Sequence, residues 1–233
     1  MAARSYGQYC GITTAVELIG ERWAMLIIRD LMVGARRYTD LQRGLPKIPS
    51  NILSTRLKEL QEAGVVRRAP LYRTGLVYEL TAYGRQLEPI LLALGRWGFP
   101  KMGEPGPDDL VTADSLTVAL RTAFRPDAAA ALPAGDYELH VGEVALRAHV
   151  DGADLRIEQL APNPALSPAV AMVGDPDVVF AAGPGIRLVI SGELTPAEAI
   201  DAGVVHVISG DATILERFAE TFHIDPLEAR SAA

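Results

Sequence analysis

The sequence predicts an α+β chain of two domains, and three observations lead there. Helical periodicities followed by two β-rich runs occupy residues 1–99. Pro100, Gly103, Pro105, Gly106 and Pro107, then Asp108-Asp109, interrupt that pattern as a polar hinge. Beyond it, alternating strand patterns interleave with short capped helices, the texture of an α/β layer with a mainly antiparallel sheet. With 233 residues, 49% hydrophobic and 22% charged, the chain can bury a core in each part. The expected division is 1–99, a linker over 100–110, and 111–225.

In chain order, Thr13 to Gly20 reads as a short helix with a threonine cap and a glycine stop. Trp23 to Met32 is apolar on almost every side and should be the buried spine of the first domain. Gly34-Ala35-Arg36-Arg37-Tyr38 turns the chain into a short helix, Thr39 to Arg43, ended by Gly44. Pro46 to Pro49 then leads into Ser50 to Leu60, with Ser50 as the expected cap. Leu53, Leu57 and Leu60 fall at i, i+4 and i+7, one buried stripe. At roughly 100° per residue, the opposite face carries Asn51, Thr55, Lys58 and Glu62, with Ser54 at its margin. Two short helices on a tight connector are a helix-turn-helix pattern. Small hydroxyls, an amide and one cation suit base edges and phosphates, although an isolated helix with such a face could simply be solvated.

After Gly64, Val65 to Pro70 and Leu76 to Leu80 are β-rich runs around a turn containing Gly75, a hairpin with Pro70 at a strand end or edge. Arg67, Arg68 and Arg73 on this wing can reach phosphates or the minor groove. Charge agrees with that reading. Through Gly98 there are 14 Lys and Arg against 8 Asp and Glu, a net of +6; from Phe99 onward there are 8 against 21, a net of −13. Only the first domain is suited to a polyanion. Thr81 caps a last helix with Leu87, Ile90, Leu91, Leu94 and Trp97 near one face, expected to kink at Pro89. That face suits either a dimer contact shared with the first helix or plain core.

Six segments together resemble the HxlR family of bacterial winged-helix regulators over nearly all of residues 1–98. They are Cys10-Gly11-Ile12, Leu18 to Trp23, Arg36 to Leu41, Leu53 to Leu60, Tyr78 to Gly84 and Trp97-Gly98. The resemblance implies a homodimer on a pseudo-palindromic operator of double-stranded DNA, one recognition helix in each of two major grooves; Arg36, Arg37 and Ser50 are further expected DNA contacts. Arg56 matches a family arginine, yet it lies only about 60° from the leucine stripe, so a phosphate contact or a buried bridge fits better than base reading. Several members sense oxidants or electrophiles through a cysteine near the N-terminus. Cys10 matches that position, and Arg4 or the helix start could lower its thiol pKa; the alternative is a half-buried cysteine without chemistry.

In the second domain, Ser115 to Phe124 reads as a helix, Tyr137 to Val141 and Val144 to Val150 as strands, and Gly152-Ala153-Asp154 as a turn into Leu155 to Glu158. Asp177 to Ala181 is a further strand. Ile186 to Ser191 is a helical turn or two, and Thr195-Pro196 opens a helix that Gly203 stops. Val204 to Ile208 is a strand, and Asp211 opens a final helix. Gly174 to Phe180, Ser191 to Pro196 and Gly203 to Asp211 resemble sterol-carrier-protein-type domains over roughly 112–223. That resemblance implies an apolar cavity between sheet and helices. Leu120, Phe124, Phe180, Ile186, Val189, Val205, Val207, Phe218 and Phe222 would touch a ligand there, or would otherwise be core.

No phosphate-cradling loop and no nucleophile with a base is present, so catalysis has no support. One cysteine excludes an internal disulfide, His140, His149, His206 and His223 are too scattered for a metal site, and no cofactor is expected. No apolar run approaches the roughly 20 residues of a membrane span, and the N-terminus has no signal core, so a cytoplasmic protein is expected. The expectation is a DNA-binding regulator, a repressor, whose second domain takes a hydrophobic small molecule. The rival is a carrier of lipids or apolar metabolites whose first domain serves dimerisation or protein contact.

Overall fold

The computed structural model describes residues 5–71, 75–106, 108–160 and 174–226. Two compact units result, Met1–Leu91 and Leu92–Ala233, and each is taken by itself.

The first unit runs α1 (Gly11–Ile19), α2 (Ala24–Val33), α3 (Tyr38–Gly44), α4 (Ser50–Glu62), β1 (Val66–Leu71), β2 (Gly75–Leu80) and α5 (Ala82–Arg85), and ends within α6 (Glu88–Gly98). Helix α1 starts at Gly11 rather than being capped by Thr13, whose hydroxyl is turned to Gln8 at 3.3 Å. Ile27, Ile28, Leu31, Leu41, Leu53, Leu57 and Leu60 form the centre of the core, as the periodicities of α2 and α4 require. Helix α2 is less uniformly covered than its composition suggests: Met25 and Leu26 are exposed while Asp30 is fully buried, its carboxylate paired with Arg29 at 2.7 Å. A Cβ at Gly44 would lie 2.8 Å from that carboxylate, so any larger residue there would have to displace the buried Asp30 side chain.

Strands β1 and β2 pair antiparallel from Val66↔Leu80 to Leu71↔Gly75, the expected wing, with Pro70 opposite Leu76. Arg36 and Tyr78 exchange backbone hydrogen bonds of 2.9 and 2.8 Å, adding a short third rung beside β2. Thr81 caps α5 by accepting from the Gly84 N–H at 3.0 Å, as expected, but the helix does not continue to a kink at Pro89. It breaks after Arg85, and Pro89 sits in the first turn of α6. A proline there needs no N–H, whereas one long helix would have left the Arg85 carbonyl without its partner.

The second unit comprises the end of α6, a 3-10 turn at Phe99–Lys101, α7 (Ala113–Ala123), α8 (Pro126–Ala130), β3 (Gly135–Val141), β4 (Val144–Asp151), β5 (Asp154–Gln159), β6 (Val178–Ala182), α9 (Ile186–Ile190), α10 (Pro196–Asp201), β7 (Val205–Gly210) and α11 (Ile214–Thr221). Its first residue lies inside α6 rather than in the Pro/Gly segment, because Gly95 lies against Thr122 and Phe99 packs on the second core. The sheet order is β5-β4-β3-β6-β7, antiparallel throughout except for β3 beside β6. Strand β3 alternates strictly, with Tyr137, Leu139 and Val141 buried, so one face of the sheet carries the core. Helices α7 and α10 start on reciprocal caps: Thr112 with Ser115, and Thr195 with Glu198. Helix α8 follows an arginine-proline step and escaped the sequence reading, since five residues carry no measurable periodicity.

Candidate nucleic-acid interface

Helix α4 begins at Ser50, with Pro49 as the residue before it, so Ser50 is the first helical residue and not the cap. Its carbonyl accepts from the Tyr38 hydroxyl at 2.8 Å and from the Ser54 hydroxyl at 3.0 Å. The start of α4 is thereby held to the start of α3 by Tyr38, whose ring also packs on the core. Sequence reasoning missed this role, although an aromatic hydroxyl opening the first helix of the pair was a visible signal.

Asn51, Ser54 and Lys58 are exposed on α4 and Thr55 is half-buried. The structure therefore brings the expected four side chains to one face, away from Leu53, Leu57 and Leu60. Thr55 and Ser54 spend their hydroxyl protons on carbonyls one turn back, at 2.9 and 3.0 Å, leaving oxygen lone pairs outward. Lys58 is 3.7 Å from Glu62 with both side chains largely exposed, a weak and exchangeable pair. Arg43 and Lys47, exposed in and after α3, add two cations beside the start of α4 that the sequence reading left out.

On the wing, Arg67 and Arg68 are exposed. Arg67 is ion-paired with Glu79 across the strands at 2.6 Å, and Arg68 lies 5.6 Å from the centre of the Tyr78 ring. Arg73 lies outside the described residues. Two further arginines of the expected set have partners within the fold. Arg36 is buried, held by the backbone rung to Tyr78 and by a 3.0 Å bond from its guanidinium to the Ala35 carbonyl, so it does not face solvent. Arg56 forms the bridge that was one of its two expected roles: its guanidinium meets Glu21, Glu59 and the Arg22 carbonyl. Arg37 opens α3, its backbone N–H bonded to Asp40 at 2.9 Å.

Cys10 is exposed, not half-buried, at the residue before α1. The backbone N–H groups of Thr13 and then Ile12, at the helix start, hold its thiol below the ordinary value.

The nine side chains expected to touch a ligand in the second unit all belong to its core or pack on it. Five aromatic rings fill the middle: Phe218 stands 5.2 Å from Phe180, 5.4 Å from Tyr137 and 4.8 Å from Phe222, which in turn lies 5.9 Å from Phe124. Burial raises the Tyr137 phenol pKa.

A helix pair with an exposed polar second helix, followed by a two-stranded basic wing, defines a winged helix-turn-helix domain. Residues 18–104 match the HxlR-like helix-turn-helix family model. The HTH-type transcriptional regulator YvaP of Bacillus subtilis (strain 168) is 38% identical over 85 residues, 36% of this chain and 79% of that protein. The regulator sll1512 of Synechocystis is 34% identical over 94 residues, 40% of this chain and 70% of that one. The chain belongs to the HxlR-like family. A solved structure, the reduced form of the transcriptional regulator YodB from B. subtilis, shares 33% identity over 42% of this chain and 99% of that chain, with a TM-score of 0.36. Among the described residues, no helix is long and apolar enough to cross a membrane.

Proposed function

We propose that this chain is a transcriptional regulator that acts as a homodimer on a pseudo-palindromic operator. The observation that carries the reading is the exposed face of α4, with Asn51, Ser54 and Lys58, on a chain whose wing presents Arg67 and Arg68. Base edges are met by α4, and phosphates by the wing, with Arg43, Lys47 and Arg73 as further backbone contacts. The apolar side chains left exposed on α1 and α6, among them Ile12, Val16, Ile90, Leu94 and Trp97, supply the dimer contact. Relatives named as transcriptional regulators are in keeping with this reading.

The second unit serves as the effector module, taking an apolar small molecule between sheet and helices. Its support is the layer architecture itself, with a sheet covered on one face. A ligand between sheet and helices would lie against the rings of Phe218 and Phe222, which also contact Tyr137. A gel shift with the full chain on DNA upstream of its own gene tests the regulator. A sequence-selective complex below micromolar protein supports it, and equal binding to all duplexes defeats it. Titrating an apolar fluorophore into the full chain tests the module, where absence of saturable binding removes the ligand.

A further inference from the structure

Arg56 stands on α4 with its side chain only 13% exposed. Its Nη2 is 3.0 Å from Glu21 Oε2, its Nε donates to the Arg22 carbonyl at 3.3 Å, and its Nη1 meets Glu59 one turn further along α4. Two of these three links reach the turn between α1 and α2. That turn is closely defined. Gly20 sits where a Cβ would fall 2.5 Å from the Val16 carbonyl oxygen, and Trp23, at φ 80°, is the one non-glycine with positive φ among the described residues. The Arg22 guanidinium lies 5.2 Å from the centre of the Trp23 ring.

The leucine stripe of α4 decides which face is buried, but apolar burial has no direction and tolerates a small roll of the helix. Hydrogen bonds from a planar guanidinium do not. A face that reads bases must be held to within about 0.5 Å and about 10–20°, and Arg56 provides such a directional tie from α4 to the α1–α2 turn through charge. We infer that Arg56 is a positioning residue for operator recognition: without touching DNA, it fixes the roll of α4 by clamping that helix to Glu21 and the Arg22 carbonyl. This inference rests on the DNA-binding reading above.

The test uses the full chain, a duplex enriched by the wild-type protein from a randomised pool, and a scrambled duplex of the same length, with affinities read by fluorescence anisotropy over a range of salt. Arg56→Gln lowers affinity for the enriched duplex about tenfold or more and leaves the scrambled duplex and the salt slope at wild-type values. Arg56→Lys, which keeps the charge and loses the fork, fails in the same way. Glu21→Gln leaves Arg56 in place and still narrows the ratio between the two duplexes. A salt slope lowered by about one unit on both duplexes for Arg56→Gln, with Arg56→Lys restoring it, overturns the inference in favour of a phosphate contact. So does an unchanged ratio in Glu21→Gln, which also decides the matter if the Arg56 variants lose their cooperative melt. A wild-type protein that enriches no sequence defeats the DNA-binding reading itself, and is recognised before any variant is made.

Discussion

Replacing Arg67 by alanine separates what the wing does for the fold from what it does for DNA. The Arg67 side chain is 64% exposed and pairs with Glu79, 27% exposed, at 2.6 Å. An ion pair so open to water contributes about 0–1 kcal/mol, so the melting temperature should hardly move. On DNA, one neutralised phosphate accounts for about 0.9 of the logarithmic salt slope, and over a fourfold rise in salt that is roughly a 3.5-fold change in affinity. Arg67→Ala should therefore flatten the slope by that amount on every duplex, operator or not. Glu79→Gln should act in the opposite direction, since it removes the carboxylate that competes with phosphate for the same guanidinium. Anisotropy titrations at several salt concentrations read both. An unchanged slope in Arg67→Ala would mean that Arg67 neutralises no phosphate and is only a solubilising partner of Glu79.

Leu57, 1% exposed between Leu53 and Leu60, should cost about 2–5 kcal/mol when cut to alanine, read by urea denaturation, and a loss under 1 kcal/mol would contradict the placement of α4. Thr195→Ala removes one half of the reciprocal cap on α10 and should cost about 1 kcal/mol in the same measurement. Glu198, Asp211 and Glu193 titrate below the usual carboxylate range, held down by the Thr195 backbone N–H, the Thr213 backbone N–H and the Ser191 hydroxyl respectively. Their folded values lie below the unfolded ones, so the stability they add is present above the unfolded carboxylate range. It is lost as pH falls from about 4 through the folded values, and Glu198→Gln should flatten that part of a stability-against-pH curve. The Cys10 thiolate should form at a lower pH than a model thiol, followed by alkylation rate, and a rate profile equal to that of a free thiol would remove the helix-start effect.

The helix pair and wing could be read from the chain because their signals are local. A leucine every three to four residues placed α4, and two β-rich runs around a turn placed β1 and β2 with Pro70 near the tip. In the second unit, alternation at Tyr137, Leu139 and Val141 fixed the buried face of β3, and the Thr195-Pro196 start fixed α10. Partners distant in sequence were not legible. Arg56 could be assigned to a phosphate or a bridge from the helical wheel, and only the fold shows Glu21, thirty-five positions away, beside it. The same holds for Tyr38 on the Ser50 carbonyl and for Arg36, whose basic character suggested DNA until its backbone rung with Tyr78 took it into the core. Cap positions shifted by a residue or more: Ser50 is the first helical residue after Pro49, and Thr13 lies inside α1 with its hydroxyl on Gln8. The gathering of Phe124, Tyr137, Phe180, Phe218 and Phe222 in one place, though they are spread widely along the sequence, was likewise not legible.

In the proposed mode of binding, α4 reads a base sequence in two major grooves through a homodimer. Selection of bound duplexes from a randomised pool by the full chain tests it most directly. The expected result is enrichment of an inverted repeat whose half-site centres stand about one helical turn, 10–10.5 base pairs, or a multiple of it apart, with enrichment lost in Asn51→Ala and retained in Arg67→Ala. Recovery of unenriched sequences by the wild-type chain, or of the same repeat by Asn51→Ala at undiminished strength, would contradict it.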